Sequence, residues 1–210
     1  MDKQNNLDYL LTLVSDSKRE KIKEVIKQRT QHLTIALENI SQPHNASAVV
    51  RSCDIFGIQD VHVVETRSSF KDYAGVAKGA TNWIDVYRHD SIVSCAQSLK
   101  KNGYTLIATT PHVRGYSIED LPINNKIALL FGTELKGLTS EAMELADEFV
   151  TIPMFGFTES FNISVSAAIC MYQLITSLHA SNIAWQLQPE RAKKIQLQWV
   201  KRILHMDRAG

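Results

Sequence analysis

The sequence predicts an α/β domain built on a parallel sheet with helices on both faces. Three observations predict it: short aliphatic or β-branched runs alternate with helix-like patterns, the turns between them are rich in Gly, Pro and Thr, and hydrophobic residues make up 44% of 210 residues. Strands alternating with helices in this way form a sheet whose two faces are both covered. A chain of this length suits one domain with terminal additions.

Residues 1–31 combine Leu7, Leu10, Leu11, Leu13 and Val14 with the charged stretch SKREKIKEVIKQRT, a pattern that fits an amphipathic helical extension. LTIAL at 33–37 is a first strand that runs into ENISQPHN, where Pro and Asn mark a loop. From Ala46, the apolar residues Val49, Val50, Cys53 and Phe56 follow helical spacing up to Gly57, a C-terminal stop. VHVVE at 61–65 is a second strand, and the loop KDYAGVAKGATNW leads to a third around WIDVY at 83–87. Asp90 then caps a helix ending at Gly103. YTLIATT and KIALLFG are further strands, TSEAMELA is a short helix, FVTIPM is a last strand and ISVSAAICMYQLITSLHA is a long apolar helix. The C-terminal stretch sets Arg191, Lys193, Lys194, Lys201 and Arg202 against Ile195, Leu197, Val200, Ile203 and Leu204, which reads either as a solvated helix packed on the domain or as a basic face for RNA. With no repeat or low-complexity linker, residues 1–210 read as one domain: a helical extension at 1–31, a core at 32–182 and a second helical extension at 183–210.

A net charge of +1 means that any nucleic acid has to be held by local basic patches rather than by a global field. Cys53, Cys95 and Cys170 lie far apart without C-x-x-C spacing, and read as reduced core residues. There is no basic start followed by an apolar run, and no window approaches the roughly 20 apolar residues that span a bilayer. The expectation is a cytoplasmic protein with no membrane partner. The sequence lacks G-x-G-x-x-G after a strand, a G-x-x-x-x-G-K-[ST] loop and a G-x-S-x-G elbow, and its seven histidines are scattered. Nicotinamide, phosphate-loop and triad readings lose their support, and no metal site is expected.

Open parallel sheets bind ligands beyond the carboxyl ends of their strands. Three of the segments there are unusual. ENISQPHNASAVVR places Asn45 just before a helix and Arg51 about two turns into it, which from periodicity reads as an ordinary N-cap and an exposed cation. FGTELKGLT brackets Glu134 with Gly132 and Gly137, residues that permit positive φ and close backbone approach. IPMFGFTESFNISVSAAI crowds Ser160, Asn162 and Ser164 onto the start of an apolar helix, either as an elaborate cap or as a site that reads a polar ligand.

In this order, PHNASAVVRSCDIFG, FGTELKGLT and IPMFGFTESFNISVSAAI resemble the three motifs of the SpoU family of RNA ribose methyltransferases, within the SpoU/TrmD superfamily. The similarity runs from about Leu33 to Leu174, and the flanks with the KGATNWIDVYRH segment look most like the TrmH branch, which methylates guanosine 2'-hydroxyls in tRNA. The resemblance implies a C-terminal part threaded into a deep trefoil knot, a rare exception to unknotted connectivity. It also implies a homodimer packed through the knots, with the apolar helix at 163–181 and the C-terminal helix as interface candidates and an active site drawn from both subunits.

The same resemblance implies that S-adenosyl-L-methionine is contacted by Thr109, Thr110, Gly132, Glu134, Gly137, Leu138, Ile152, Met154 and Phe161. The family usually has Leu where this chain has Phe161, so the adenine wall is reshaped. Arg51 is implied to activate the 2'-hydroxyl, assisted by Asn45, Ser160 and Asn162. Guanidinium groups stay protonated in proteins, so the chemically easier role is to hold phosphate and orient the hydroxyl. Cations at 18–29, Lys78, Arg114 and the C-terminal helix are candidate phosphate contacts. The implied substrate is a guanosine of the tRNA D-loop. Alternatives are another tRNA or rRNA ribose, a silent knotted RNA-binding protein, and a generic nucleotide-binding enzyme.

Overall fold

The computed structural model describes residues 6–40, 42–65 and 79–206. In chain order its elements are α1 (Leu7–Thr12), α2 (Asp16–Lys27), β1 (Leu33–Glu38), α3 (Pro43–Ile55), β2 (Asp60–Val64), a 3-10 turn (Ala80–Asn82), β3 (Asp85–His89), α4 (Ile92–Lys101), β4 (Tyr104–Thr109), β5 (Tyr116–Ser117), β6 (Lys126–Phe131), α5 (Ser140–Leu145), β7 (Glu148–Thr151), α6 (Ile163–Ala180) and α7 (Pro189–Ile203). They form two compact units, Gln31–Trp185 and the two termini together, Met1–Thr30 with Gln186–Gly210.

The larger unit is a seven-stranded sheet in the order β3-β2-β1-β6-β4-β7-β5, with every pairing parallel. Side chains alternate across it. Leu33, Ile35 and Leu37 of β1 join Val49, Val50 and Cys53 of α3 and Ala167, Cys170 and Leu174 of α6 in one core. Ala36 faces the other way, with Val64, Leu106 and Leu130, into a second core closed by Cys95, Ala96 and Leu99 of α4 and Ala142 of α5. At roughly 25 cal/mol per Å² of apolar surface removed from water, these two layers are the main favourable term for the fold.

Because every strand is parallel, the loops that follow β1, β4, β6 and β7 emerge at one edge. The chain builds β1-β2-β3 outward in one direction, places β4 on the other side of β1, and later inserts β6 between β1 and β4. Such reversals open a crevice beyond the strand ends.

Several boundaries differ from the sequence reading. α3 begins at Pro43, not after Asn45, since Pro at the first helical position is pre-set for helical φ and Gln42 takes the cap position. Ser91 rather than Asp90 caps α4, its side chain accepting from Ser94 N at 3.1 Å. β3 lies at 85–89, because Trp83 and Ile84 close the preceding 3-10 turn, and β7 stops at Thr151, leaving Ile152 and Met154 in the loop. The two-residue β5 has no sequence signal.

By length and composition α6 could cross a membrane, contrary to the expectation that no window comes close. Here its apolar stripe Ile163, Ala167, Cys170, Met171, Leu174, Ile175 and Leu178 is buried in the core. All three cysteines are buried free thiols.

In the terminal unit, α1 and α2 both pack on α7. Trp199, absent from the apolar face read in the sequence, is buried there beside Ile195 and Val200. Arg29 is also buried, with its guanidinium 5.2 Å from the Trp199 ring centroid, so it leaves the set of RNA-contact candidates.

Candidate active site

The three unusual segments meet at the carboxyl edge of the sheet. Asn45 sits in the first turn of α3, nearly buried, and is no helix cap. Its amide nitrogen donates to Glu134 Oε1 and, at 3.3 Å, to Gln42 Oε1. Its amide oxygen accepts from Asn162 Nδ2 at 3.2 Å. Asn162 is the N-cap of α6, its Oδ1 accepting from Ser164 N at 2.9 Å and from Ser164 Oγ at 2.6 Å. One polar chain therefore runs from the first segment through the second to the third.

An asparagine side chain offers two donor hydrogens and one acceptor oxygen. All of these functions of Asn45 are taken up inside the protein, which makes it a brace for Glu134 and Asn162 rather than a free hand for a ligand. Burying an amide without such partners costs about 1–3 kcal/mol.

Arg51 stands apart from this set. Six residues along α3 from Asn45, it lies about 9 Å further along the axis and about a third of a turn around it. It is exposed and has no hydrogen-bond or ion-pair partner among the described residues. Ser160 is likewise exposed and unbonded. The structure thus joins Asn45, Glu134 and Asn162 and leaves Arg51 and Ser160 open.

The loop after β6 is shaped by its glycines. Thr133 N donates to Gly137 O at 3.0 Å and Gly137 N donates back to Thr133 O at 2.8 Å. This folds the loop so tightly that a Cβ on Gly132 would fall 2.1 Å from Gly137 C and O and 2.2 Å from Leu138 N. Gly137 itself has φ +65°, a left-handed backbone that side chains resist. The loop is fixed at its far end by Glu38, the buried last residue of β1, whose carboxylate accepts from Thr139 N at 2.9 Å and Thr139 Oγ1 at 2.7 Å. Sequence reasoning missed Glu38; a carboxylate ending an otherwise apolar strand was the available signal.

The remaining sequence candidates lie at the ends of β4, β6 and β7 or in the loops that follow them, at the same edge of the sheet. Thr109 Oγ1 donates to Leu130 O at 2.7 Å, tying β4 to β6, and Thr110 N donates to Val150 O at 3.1 Å. Leu138, Ile152 and Met154 are half-buried and Phe161 is 44% exposed, with Phe155 and Phe157 of the same loop fully in solvent. Of the cations proposed for RNA, Arg19, Lys21 and Lys23 make ion pairs within α2, whereas Lys18, Lys27, Arg114, Lys193 and Lys194 are exposed; Lys78 lies outside the described residues.

Fold and site together define an α/β protein with glycine-shaped loops beyond its strand ends and a braced amide and carboxylate set at their rim. Residues 32–172 match the model of the SpoU rRNA methylase family, and the chain belongs to that family. It is 37% identical over 203 residues to a Borreliella burgdorferi protein named tRNA (guanosine(18)-2'-O)-methyltransferase, with 97% of this chain and 93% of the relative covered. Among solved structures, the A. aeolicus TrmH/SpoU tRNA modifying enzyme aligns with a TM-score of 0.76 at 25% identity, covering 90% of this chain and 98% of that one. AviRb from Streptomyces viridochromogenes, solved with AdoMet, shares the fold with a TM-score of 0.64 at 22% identity, over 76% of this chain and 62% of its own.

Proposed function

We propose that this chain transfers a methyl group from S-adenosyl-L-methionine to the 2'-hydroxyl of a guanosine in the tRNA D-loop. The observation that carries this reading is the hydrogen-bonded set Asn45, Glu134 and Asn162, which unites all three loop segments at one rim of the sheet. The substrate is suggested by the relative at 37% identity, which spans nearly the whole chain and is named for guanosine 18 of tRNA.

The loops suit such a cofactor. Gly132 leaves backbone where a side chain cannot go, Leu138, Ile152 and Met154 supply half-buried apolar walls, and Thr109, Thr110, Gly137 and Phe161 complete the surround. None of these residues is cationic, which favours an adenine and a sulfonium over phosphates. When bound, the cofactor supplies an electrophilic methyl carbon for in-line displacement by the ribose oxygen. Holding that oxygen in line contributes up to about 7–11 kcal/mol in the best cases.

In this reading Asn45 and Asn162 hold Glu134 and the start of α6 in place, Ser160 faces the ribose, and Arg51 binds phosphate and orients the hydroxyl. Arg51 lies about 9 Å along α3 from Asn45, the one member of the braced set on that helix, and about a third of a turn around it, and in this reading a complete site takes Arg51 from a second copy. A homodimer packed through α6 supplies it, and exposed Val165, Tyr172 and Ile55 are apolar residues such a contact would cover. The segment from β6 to α6 is taken to be threaded as a trefoil knot, a reading supported by the insertion of β6 between β1 and β4 and by the fold likeness to the TrmH/SpoU enzyme. A cytoplasmic location follows from the tRNA substrate.

Transfer of labelled methyl from S-adenosyl-L-methionine to bulk tRNA and rRNA, followed by nucleoside mapping, tests the reading. Label is expected in 2'-O-methylguanosine of tRNA and is expected to fall at least a hundredfold in Arg51→Ala, with cofactor affinity unchanged. Label in rRNA alone, or full activity in the variant, overturns substrate or role respectively.

A further inference from the structure

The histidines that are scattered in sequence are not all scattered in space. His62 of β2, His89 at the end of β3 and Cys95 in the first turns of α4 each offer a ligand atom, and these atoms lie within 4.8 Å of one another. The fold places them there for simple reasons. His62 is sandwiched in β2 between Val61 and Val63, which face the other core, so alternation turns it toward α4. His62 pairs with Tyr87 and Val64 with His89 in the β2-β3 register, putting His89 two residues beyond the position opposite His62 on the neighbouring strand, on the same face. Cys95 is on the face of α4 that packs on the sheet, and is fully buried.

His62 Nδ1 and His89 Nε2 are 2.9 Å apart, with rings stacked at 5.2 Å, and Tyr87 stacks on His62 at 5.0 Å. We propose that His62, His89 and Cys95 form a binding site for a zinc-class divalent cation that ties the edge strand β3 to β2 and α4. Two imidazoles and a thiolate are the donors such an ion prefers, and a tetrahedral ion sets its nitrogen and sulfur ligands about 3.3–3.8 Å apart, within reach of these side chains by small shifts. This site is independent of methyl transfer: it lies against the α4 core, and none of its residues joins the Asn45, Glu134 and Asn162 set.

The surroundings suit a cation. The hydrogen bond between the two rings needs one of them as acceptor, so that ring is neutral and its nitrogen lone pair already points into the cluster. Burial, then the charge of Glu38, pushes the Cys95 thiol up to about 12. The carboxylates of Glu38 and Asp90 thus both act on the cluster, and an ion would offset them. Binding expels one proton to solvent, from Cys95. The hydrogen shared between the imidazoles shifts to the other nitrogen of its own ring, so coordination displaces no second proton.

The test uses the full chain without an affinity tag, stripped with a chelator and titrated with Co2+ as a spectroscopic probe. One equivalent is expected to bind with a thiolate-to-cobalt charge-transfer absorption, one proton is released per ion, and Zn2+ displaces the cobalt. Cys95→Ser is expected to abolish that absorption, while Cys170→Ala, on the opposite face of the sheet, keeps it. His89→Gln, at a half-exposed position, is expected to weaken binding at least tenfold with an unchanged circular dichroism spectrum. Zn2+ is expected to raise the unfolding midpoint of the wild type but not of His89→Gln. Absence of stoichiometric binding, or an absorption that survives Cys95→Ser or is unaffected by His89→Gln, overturns the site.

Discussion

Gly132 has no room for even one methyl group. A Cβ there would lie 2.1 Å from the backbone of Gly137, and the neighbours are main-chain atoms locked by two reciprocal hydrogen bonds rather than flexible side-chain ends. Gly132→Ala is therefore expected to open the loop, costing about 1–3 kcal/mol of stability and lowering affinity for S-adenosyl-L-methionine at least tenfold. Chemical unfolding and calorimetric titration with the cofactor check the two parts separately. The sequence showed that glycine mattered here, since two glycines bracket Glu134, but not which one is hemmed in; that depends on the return of the chain from Gly137. Asn45 shows the opposite difficulty. A lone Asn near a helix start reads as a cap, and only the Pro43 start, three positions into which Asn45 falls, turns its amide toward Glu134 and Asn162.

At the scale of elements, β1 does more than fill the centre of the sheet. Its terminal Glu38 receives two hydrogen bonds from Thr139, whose hydroxyl in turn accepts from Ala142 N to cap α5. Strand, loop and helix are thus fastened at one residue, which fixes where the 132–139 loop returns. Glu38→Gln keeps the shape but offers one oxygen where two are used, so the amide NH2 faces one of the two Thr139 groups that now donate to the carboxylate. The expected cost is about 1–3 kcal/mol, with a several-fold rise in KM for the cofactor and a smaller change in kcat. Steady-state kinetics decide between the roles: lost stability with an unchanged KM would falsify anchoring of the loop. The long elements were legible because apolar spacing of two or of three and four residues is strong in β1, β4, β6, α4 and α6. Boundaries were less so, since Asp90 and Ser91 are equally competent caps side by side and a two-residue strand such as β5 has no period.

At the scale of the molecule, the strand order and the polar chain were beyond periodicity. Asn45 reaches 89 residues to Glu134 and 117 to Asn162, and β6 enters between strands far earlier in the sequence. Spacing within a segment carries no information about such pairings, and only resemblance to a family linked the three motifs in advance. The convergence of His62 with His89 was equally hidden, and it has a consequence for the stability of the whole chain. His62 is 6% exposed and its pKa is held at about 4, against 6.5 for a free histidine, because burial disfavours the imidazolium. The unfolded chain therefore binds a proton that the folded chain refuses between those two values. Folding free energy from this group is complete above pH 6.5 and is lost as the pH falls toward 4, at about 1.4 kcal/mol per unit. From pH 7 to pH 5 the chain is expected to lose roughly 2 kcal/mol through His62. Urea unfolding at the two pH values measures the loss, and His62→Asn, which cannot take up the proton, is expected to remove most of the difference; an equal loss in the variant assigns the acid sensitivity to other groups.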